Sequence, residues 1–415
     1  MFVGRLDETN RLEQALLQTR AGNPGHFMLT GERGIGKSSL LLWLKYAAEG
    51  LVAINGEKVK FLTVDVDVDG ETTQAGLVAR IQLALDRQLG VTEAAKSFLG
   101  DAWKFIQRIR VMDSGLEMTG DIQKSNEVML DEFAFSLGSI AKRTAEAVET
   151  SIFNAKYDGI LILIDEADNS GEALNLGSFL KLLLERLQRA GCTRVLVGLA
   201  GLPTLRNRLH ASHPSSLRIF EELALGRLSD EEVSRVINIC LKKANETNEL
   251  KTTINDAARK TLISLSEGYP HFVQQFGSSA FSADTDGVID EADIEKGAFG
   301  ERGALELIGN RYYRDDFYNK IQSDGSRQVL RIMADDLDGW VTKQKIAEKY
   351  KGKTSILDNA LKILRDRHII LPKEGTRGVY RLQHKGFALW IKLNTERIDA
   401  VTSTPQKPPH AEGSG

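Results

Sequence analysis

The chain has 415 residues, too many for one ordinary core, so two or three domains are expected. Hydrophobic residues make up 42% and charged residues 27%, the balance of a globular chain, and no apolar run approaches the roughly 20 residues that span a bilayer. The net charge of −3 is unevenly spread: residues 326–394 carry 15 Lys and Arg against 7 Asp and Glu, a balance of +8, and the remainder carries −11. That asymmetry predicts an anionic partner for the C-terminal part alone.

Met1-Phe2-Val3-Gly4-Arg5 lacks a basic-then-apolar leader, so a cytoplasmic location without membrane contact is expected. From Phe27 to Leu225 apolar strands alternate with helical patterns, which predicts an α/β fold with a parallel sheet. His26–Thr30 runs into a Gly-rich loop and Ser38–Ala48 follows as a helix. Val59–Val66 is β-branched and Thr72–Leu89 helical. Helical stretches at Ala94–Arg110 and Asn126–Ser151 form an insert at about 91–157, in which Lys104, Arg108 and Arg110 read as a solvated face. Ile160–Asp165 has the composition of a buried strand, Leu174–Ala190 of a helix, and Arg194–Leu199 and Ile219–Leu225 of further strands. Cys192 and Cys240 lack metal-ligand spacing and read as small core residues outside any disulfide.

From Ser229 the pattern turns helical. Ser229-Asp230-Glu231-Glu232 is a capping box, and Asn255–Ser266 and His271–Phe281 flank a break at Gly268-Tyr269-Pro270. Ala304–Ile321 reads as one connecting helix. Arg327–Ala334, Thr342–Lys349 and Thr354–Asp366, followed by strands Ile369–Leu371 and Val379–Leu382, read as a winged helix, with Trp340, Phe387 and Trp390 in its core. The Pro-, Ser- and Thr-containing segment 395–415 reads as a disordered tail.

Two motifs carry chemistry. Gly31-Glu32-Arg33-Gly34-Ile35-Gly36-Lys37-Ser38 is G-x-x-x-x-G-K-S. Its glycines let the backbone wrap a polyanion with N–H groups aimed inward, which bulky side chains could not do, while Lys37 supplies a point charge. Ile160–Glu166 is an apolar strand ending in two acids. Ser38 and Asp165 are the expected Mg2+ ligands and Glu166 the expected base for an attacking water, a structural acid being the competing reading for Glu166. Asp168 reads as a solvated loop acid. Together the motifs predict ATP binding and hydrolysis.

Phe2-Val3-Gly4-Arg5 with Glu13 and Leu16, Thr30-Gly31 through Ser39, and Ile164-Asp165-Glu166-Ala167 resemble the AAA+/STAND group of P-loop ATPases, most of all its branch related to the origin-recognition initiators. The resemblance covers about residues 1–390. It implies a five-stranded sheet in an ATPase core (1–227), a helical lid with a connecting helix (228–322), and a winged-helix domain (323–394). It further implies that Val3, Gly4 and Arg5 line the adenine pocket, and that Pro270 and His271 belong to a nucleotide-sensing turn; without the resemblance, that turn is an ordinary helix break. Arg218 becomes the candidate arginine finger acting on a neighbouring subunit, with Arg206 and Arg208 as competitors. Gly198-Leu199-Ala200-Gly201 lacks the polar residue that relatives place beside the γ-phosphate, and His271 stands where many carry Arg. Both departures imply slow, switch-like hydrolysis.

In the basic module, Lys343, Lys345, Lys351 and Lys353 are candidates for phosphates of double-stranded DNA, Ser355, Asn359 and Lys362 for base edges, and Arg377 for a minor groove. Asp358 and Asp366 on the same helix leave a protein-binding winged helix open. A DNA-binding ATPase switch assembling with itself or a partner ATPase subunit, and a signalling or adaptor ATPase of the STAND type, for instance in a defence or mobile-element complex, are thus the two readings.

Overall fold

The computed structural model describes residues 4–89, 122–146 and 156–402, apart from positions 315, 322, 337, 338, 368 and 374. Val3, the expected helix Ala94–Arg110 with its three cations, and residues 403–415 lie outside the described residues. The chain divides into two compact units, Met1–Gly226 and Arg227–Gly415.

In the first unit the helix α1 (Leu6–Arg20) leads into β1 (Phe27–Gly31), α2 (Lys37–Ala48), β2 (Phe61–Asp67) and α3 (Gln74–Leu89). After α4 (Ile122–Glu146) come β3 (Gly159–Asp165), α5 (Leu176–Arg189), β4 (Val195–Gly201), α6 (Leu205–Ser212), a short 3-10 turn (Pro214–Arg218) and β5 (Glu221–Leu225). The five strands are all parallel, in the order β2-β3-β4-β1-β5.

Because parallel strands are covered on both faces, they read as unbroken apolar runs, and residues 160–164 of β3 are at most 1% exposed. Ile160, Ile162 and Ile164 pack with Leu77, Ile81 and Leu85 of α3, Phe133 and Leu137 of α4, and Phe179 and Leu183 of α5. On the other face lie α1 and α2, whose Leu12, Leu16, Leu40 and Leu44 are fully buried. Each helix thus buries one stripe against the sheet, leaving the carboxyl ends of β1, β3 and β4 open for the loops.

The second unit opens with α7 (Asp230–Thr247), started by the expected capping box: Ser229 Oγ accepts from Glu232 N and Glu232 Oε2 from Ser229 N. Next come β6 (Thr253–Ile254), α8 (Asp256–Ser266), α9 (Pro270–Ala283), β7 (Val288–Ile289), α10 (Glu291–Phe299) and α11 (Ala304–Ile308). The expected single helix Ala304–Ile321 does not persist: after Ile308 the turns widen to π geometry at Gly309–Tyr313 and Asp316–Lys320. Crowding accounts for this, since a side chain on Gly309 would meet the Trp390 ring at 2.1 Å and Phe317 must also reach that ring.

The last elements are α12 (Asp324–Ala334), β8 (Val341–Thr342), α13 (Lys343–Lys349), α14 (Thr354–Asp366), β9 (Ile370–Pro372), β10 (Val379–Leu382) and α15 (Lys385–Thr402). The strands form an antiparallel sheet in the order β8-β10-β9. Thr342 caps α13 by accepting from Lys345 N, as expected. The final helix continues to Thr402, into the segment read as tail. Phe387 and Trp390 are buried as expected, but Trp340 is 39% exposed, with Lys373 and Arg381 over its ring. Its amphipathic ring is solvated at the surface because two cations, rather than apolar side chains, cover it. Cys192 is half-buried and Cys240 exposed on α7, both as free thiols, so the core reading does not hold for Cys240. Among the described residues no helix is long and apolar enough to cross a membrane.

Candidate nucleotide site

β1 delivers the Gly-rich loop and α2 receives it. Gly31 is required by close approach: a Cβ there would stand 2.8 Å from Ile35 Cγ2 and 3.0 Å from Leu225 O. Gly34 (φ 79°) and Gly36 (φ 101°) take left-handed conformations that favour glycine, the kind of backbone that can turn N–H groups towards an anion, and Gly36 is also the N-cap of α2. Glu32 is half-buried, Arg33 and Ser39 are exposed at the rim, and the Ile35 side chain is buried beneath the loop.

Within this cradle Lys37 Nζ donates to Gly31 O (2.8 Å) and Glu32 O (3.0 Å). Burial pushes its pKa down, while the charges of Asp165 and Asp168 oppose the shift. Ser38 Oγ donates to Asp165 Oδ2 at 2.6 Å, joining two residues 127 positions apart. Asp165 Oδ1 accepts Glu166 N–H at 2.8 Å, which fixes the carboxylate plane. Glu166 is exposed, sits at φ 52° at the head of a short 3-10 turn (Ala167–Asn169), and accepts Asn169 Nδ2 at 3.2 Å. A non-glycine residue in that region is strained, and such strain concentrates at functional positions.

Two neighbouring acids carry weight that the two nucleotide motifs did not signal. Asp168 is not a solvated loop acid: it is half-buried and its Oδ1 accepts Leu202 N–H at 2.9 Å, closing the end of β4. Gly201 makes room for it, since a Cβ there would lie 2.7 Å from Asp168 Oδ1. Gly198 is set by packing, because a Cβ there would meet the Phe27 ring at 2.1 Å. The smooth end of β4 therefore reflects contacts made by Phe27 and Asp168. Asp67 ends β2 in register with Asp165, and its pKa is raised by burial and then by the charges of Asp165 and Asp65. The alternation Asp65-Val66-Asp67-Val68-Asp69 was the available signal for an acidic strand end.

Arg5 is buried, with its guanidinium on Ile35 O (2.9 Å) and Gly226 O (2.6 Å) and Glu8 nearby at 3.4 Å. Gly4 lies beside it at φ 79°. Of the candidate fingers, Arg206 pairs with Glu222, whose other oxygen accepts Thr30 Oγ1 at 2.9 Å. Arg218 and Arg208 are exposed and form no ion pair among the described residues.

Pro270 and His271 belong to the second unit. Pro270 opens α9, and half-buried His271 packs its ring 5.2 Å from that of Tyr312, its pKa pushed down by burial and by Arg311. In the basic module Leu357, Ala360, Leu361 and Leu364 of α14 are buried, and Ser355, Asn359, Lys362 and Asp366 are exposed. Lys353 and Lys351 are exposed before the helix and Arg377 before β10. Lys343 pairs with Asp358, and Lys345 with Asp336 at 2.6 Å.

Residues 1–197 match the family model described as the AAA ATPase domain. Among solved structures, a Walker-type ATPase of Pyrococcus abyssi aligns with 94% of this chain and 96% of its own at 15% identity and a TM-score of 0.59. The ADPNP–ADP complexes of the ORC2 protein of Aeropyrum pernix align with 97% and 96% at 15% identity and a TM-score of 0.55. Both likenesses are of fold. No protein of curated function matches the chain.

Proposed function

We propose, for a chain whose residues 1–197 match the AAA ATPase domain, that it is an ATP-hydrolysing P-loop enzyme acting as a slow nucleotide-controlled switch on duplex DNA. The observation that carries the ATP site is the 2.6 Å hydrogen bond between Ser38 and Asp165 beside Lys37. A hydroxyl and a carboxylate converging there are hard oxygen donors suited to Mg2+, which takes few protein ligands and completes its shell with water and phosphate oxygens. Bound there, Mg2+ would neutralise charge developing on the phosphates.

The chain's own residues do the rest. Lys37 exchanges two loop carbonyls for phosphate oxygens, regaining the charge–charge contact that burial makes strong. Gly31 to Ser39 bind the polyphosphate, with Val3 and Gly4 assigned to the remaining nucleotide contacts of this unit. Glu166 orients the attacking water and takes its proton. Asp168, an acceptor at the end of β4, cannot donate to a γ-phosphate, which supports slow turnover. Arg218, exposed and unpaired among the described residues, is assigned to a neighbouring subunit's nucleotide.

Three helices with a three-stranded sheet support the winged-helix reading of the basic module, and its +8 balance supports a DNA partner. A second reading, a STAND-type adaptor whose winged helix contacts protein, is favoured by the ion pairs that occupy Lys343 and Lys345. ATP turnover measured with and without duplex DNA, for wild type and Glu166→Gln, tests the proposal. The expected result is slow basal hydrolysis, stimulation by DNA, and a variant that binds ATP but loses at least about 100-fold in turnover. A variant as active as wild type would remove Glu166 from its role, and turnover indifferent to DNA would favour the adaptor.

A further inference from the structure

Arg5 directs one guanidinium nitrogen to two backbone carbonyls and the other to Glu8. It is 6% exposed, sits in the left-handed region (φ 61°, ψ 40°) at the N-cap of α1, and its Nη2 serves both Ile35 O and Gly226 O. A non-glycine residue in that conformation is strained, so contacts must hold it there. They tie three segments together: the N-terminal turn, the phosphate loop, and the chain leaving β5.

Ile35 O is the informative acceptor. The chain has no cis peptide bond among the described residues, so the Ile35 C=O and the Gly36 N–H point in opposite directions across one peptide plane. That plane turns about ψ of Ile35 and φ of Gly36, and Gly36, at φ 101°, has no Cβ to restrict it on its side. The Ile35 N–H makes only a long contact with Glu32 O (3.4 Å) and does not restrain it. The Ile35 side chain is anchored in the core, 1% exposed, but a side chain does not set the orientation of the peptide that follows. Arg5, at the N-cap of α1, restrains that carbonyl through its 2.9 Å hydrogen bond.

We propose that Arg5 is a positioning residue for the phosphate loop: by holding Ile35 O it keeps Gly36 N–H aimed at the polyphosphate. This rests on the ATP reading of the site, and it moves Arg5 from the adenine pocket to the support of the phosphates. The second bond, to Gly226 O, ties the same guanidinium to the first residue after β5, whose neighbour Leu225 lies against Gly31. The loop is thereby clamped at its base and at its middle.

Calorimetric titration of the full chain with ATP, ADP, AMP and GTP separates the possibilities, using Arg5→Met and Arg5→Lys. A phosphate-positioning role weakens ATP and ADP binding by about tenfold in Arg5→Met, the size of one lost charge-assisted bond, and leaves AMP within about twofold. The preference for ATP over GTP stays unchanged, and Arg5→Lys recovers part of the loss because an ammonium still reaches one carbonyl. A purely structural role would lower the melting temperature without moving the ADP-to-AMP ratio, and that result overturns the proposal. So does an equal loss for ATP, ADP and AMP with relaxed choice of base, which would return Arg5 to the adenine pocket. Failure of the wild type to bind ATP at all removes the parent reading, and the positioning role falls with it.

Discussion

His26 stands at the entry to β1, where its Nδ1 accepts Val197 N–H at 3.1 Å and burial pushes its pKa down to about 4. The folded protein thus takes up this proton less readily than the unfolded chain, whose histidine titrates near 6.5. The stabilising contribution is complete above about pH 6.5, declines as pH falls towards 4, and is then spent; the shift corresponds to about 3 kcal/mol. Urea unfolding of wild type and His26→Asn at pH 7, 5.5 and 4.5 is expected to show the variant losing less stability on acidification, and parallel losses would contradict the assignment. At this scale the sequence was legible where function is contiguous. Gly31 to Ser38 and Asp165-Glu166 announce themselves because one strand end and one loop hold all the necessary groups. Asp168 was misjudged, and the backbone contact of Arg5 was not foreseen, because their partners, Leu202 and Ile35, are chosen by the fold and not by spacing along the chain.

Among the elements, the β1–β4 pairing places Phe27 opposite Gly198, and the phenyl ring occupies the volume that a side chain would need. Gly198→Ala is therefore expected to destabilise the first unit by about 1–3 kcal/mol through overpacking. Phe27→Leu, destabilising alone, is expected to recover part of that loss when combined with it, giving a favourable coupling in a double-mutant cycle of denaturant midpoints; simple additivity would refute the contact. Strand positions were readable because buried parallel strands are apolar throughout, and α14 was readable to the residue because its apolar stripe repeats at helical spacing. The helix expected over Ala304–Ile321 was not, since nothing local announces a π turn. That distortion comes from packing Trp390, 70 or more positions away, against Gly309 and Phe317.

For the whole molecule, the division of charge assigns the proposed DNA attraction to residues 326–394, and on that proposal binding should weaken steeply with salt. Lys343, Lys345 and Lys362 changed together to Glu are expected to abolish a mobility shift that wild type gives at low salt; an unaltered shift would exclude this face. The ion pairs sharpen the expectation. If Lys343 and Lys345 must leave Asp358 and Asp336 to reach phosphates, Asp358→Asn with Asp336→Asn should tighten binding by about two- to fivefold, the worth of exposed pairs. Weaker binding would mean that those pairs support the DNA-bound form. The sequence alone determined the α/β class, the nucleotide loop, the acidic strand end and the basic C-terminal module, because each is written in local composition or periodicity. Only the tertiary structure decided that Ser38 meets Asp165, that Asp168 closes β4, that Arg5 grips the phosphate loop and that two basic-face lysines are already paired. Those contacts depend on which distant segments the packing of the sheet and helices brings within hydrogen-bonding reach, and the order of residues along the chain does not encode that distance.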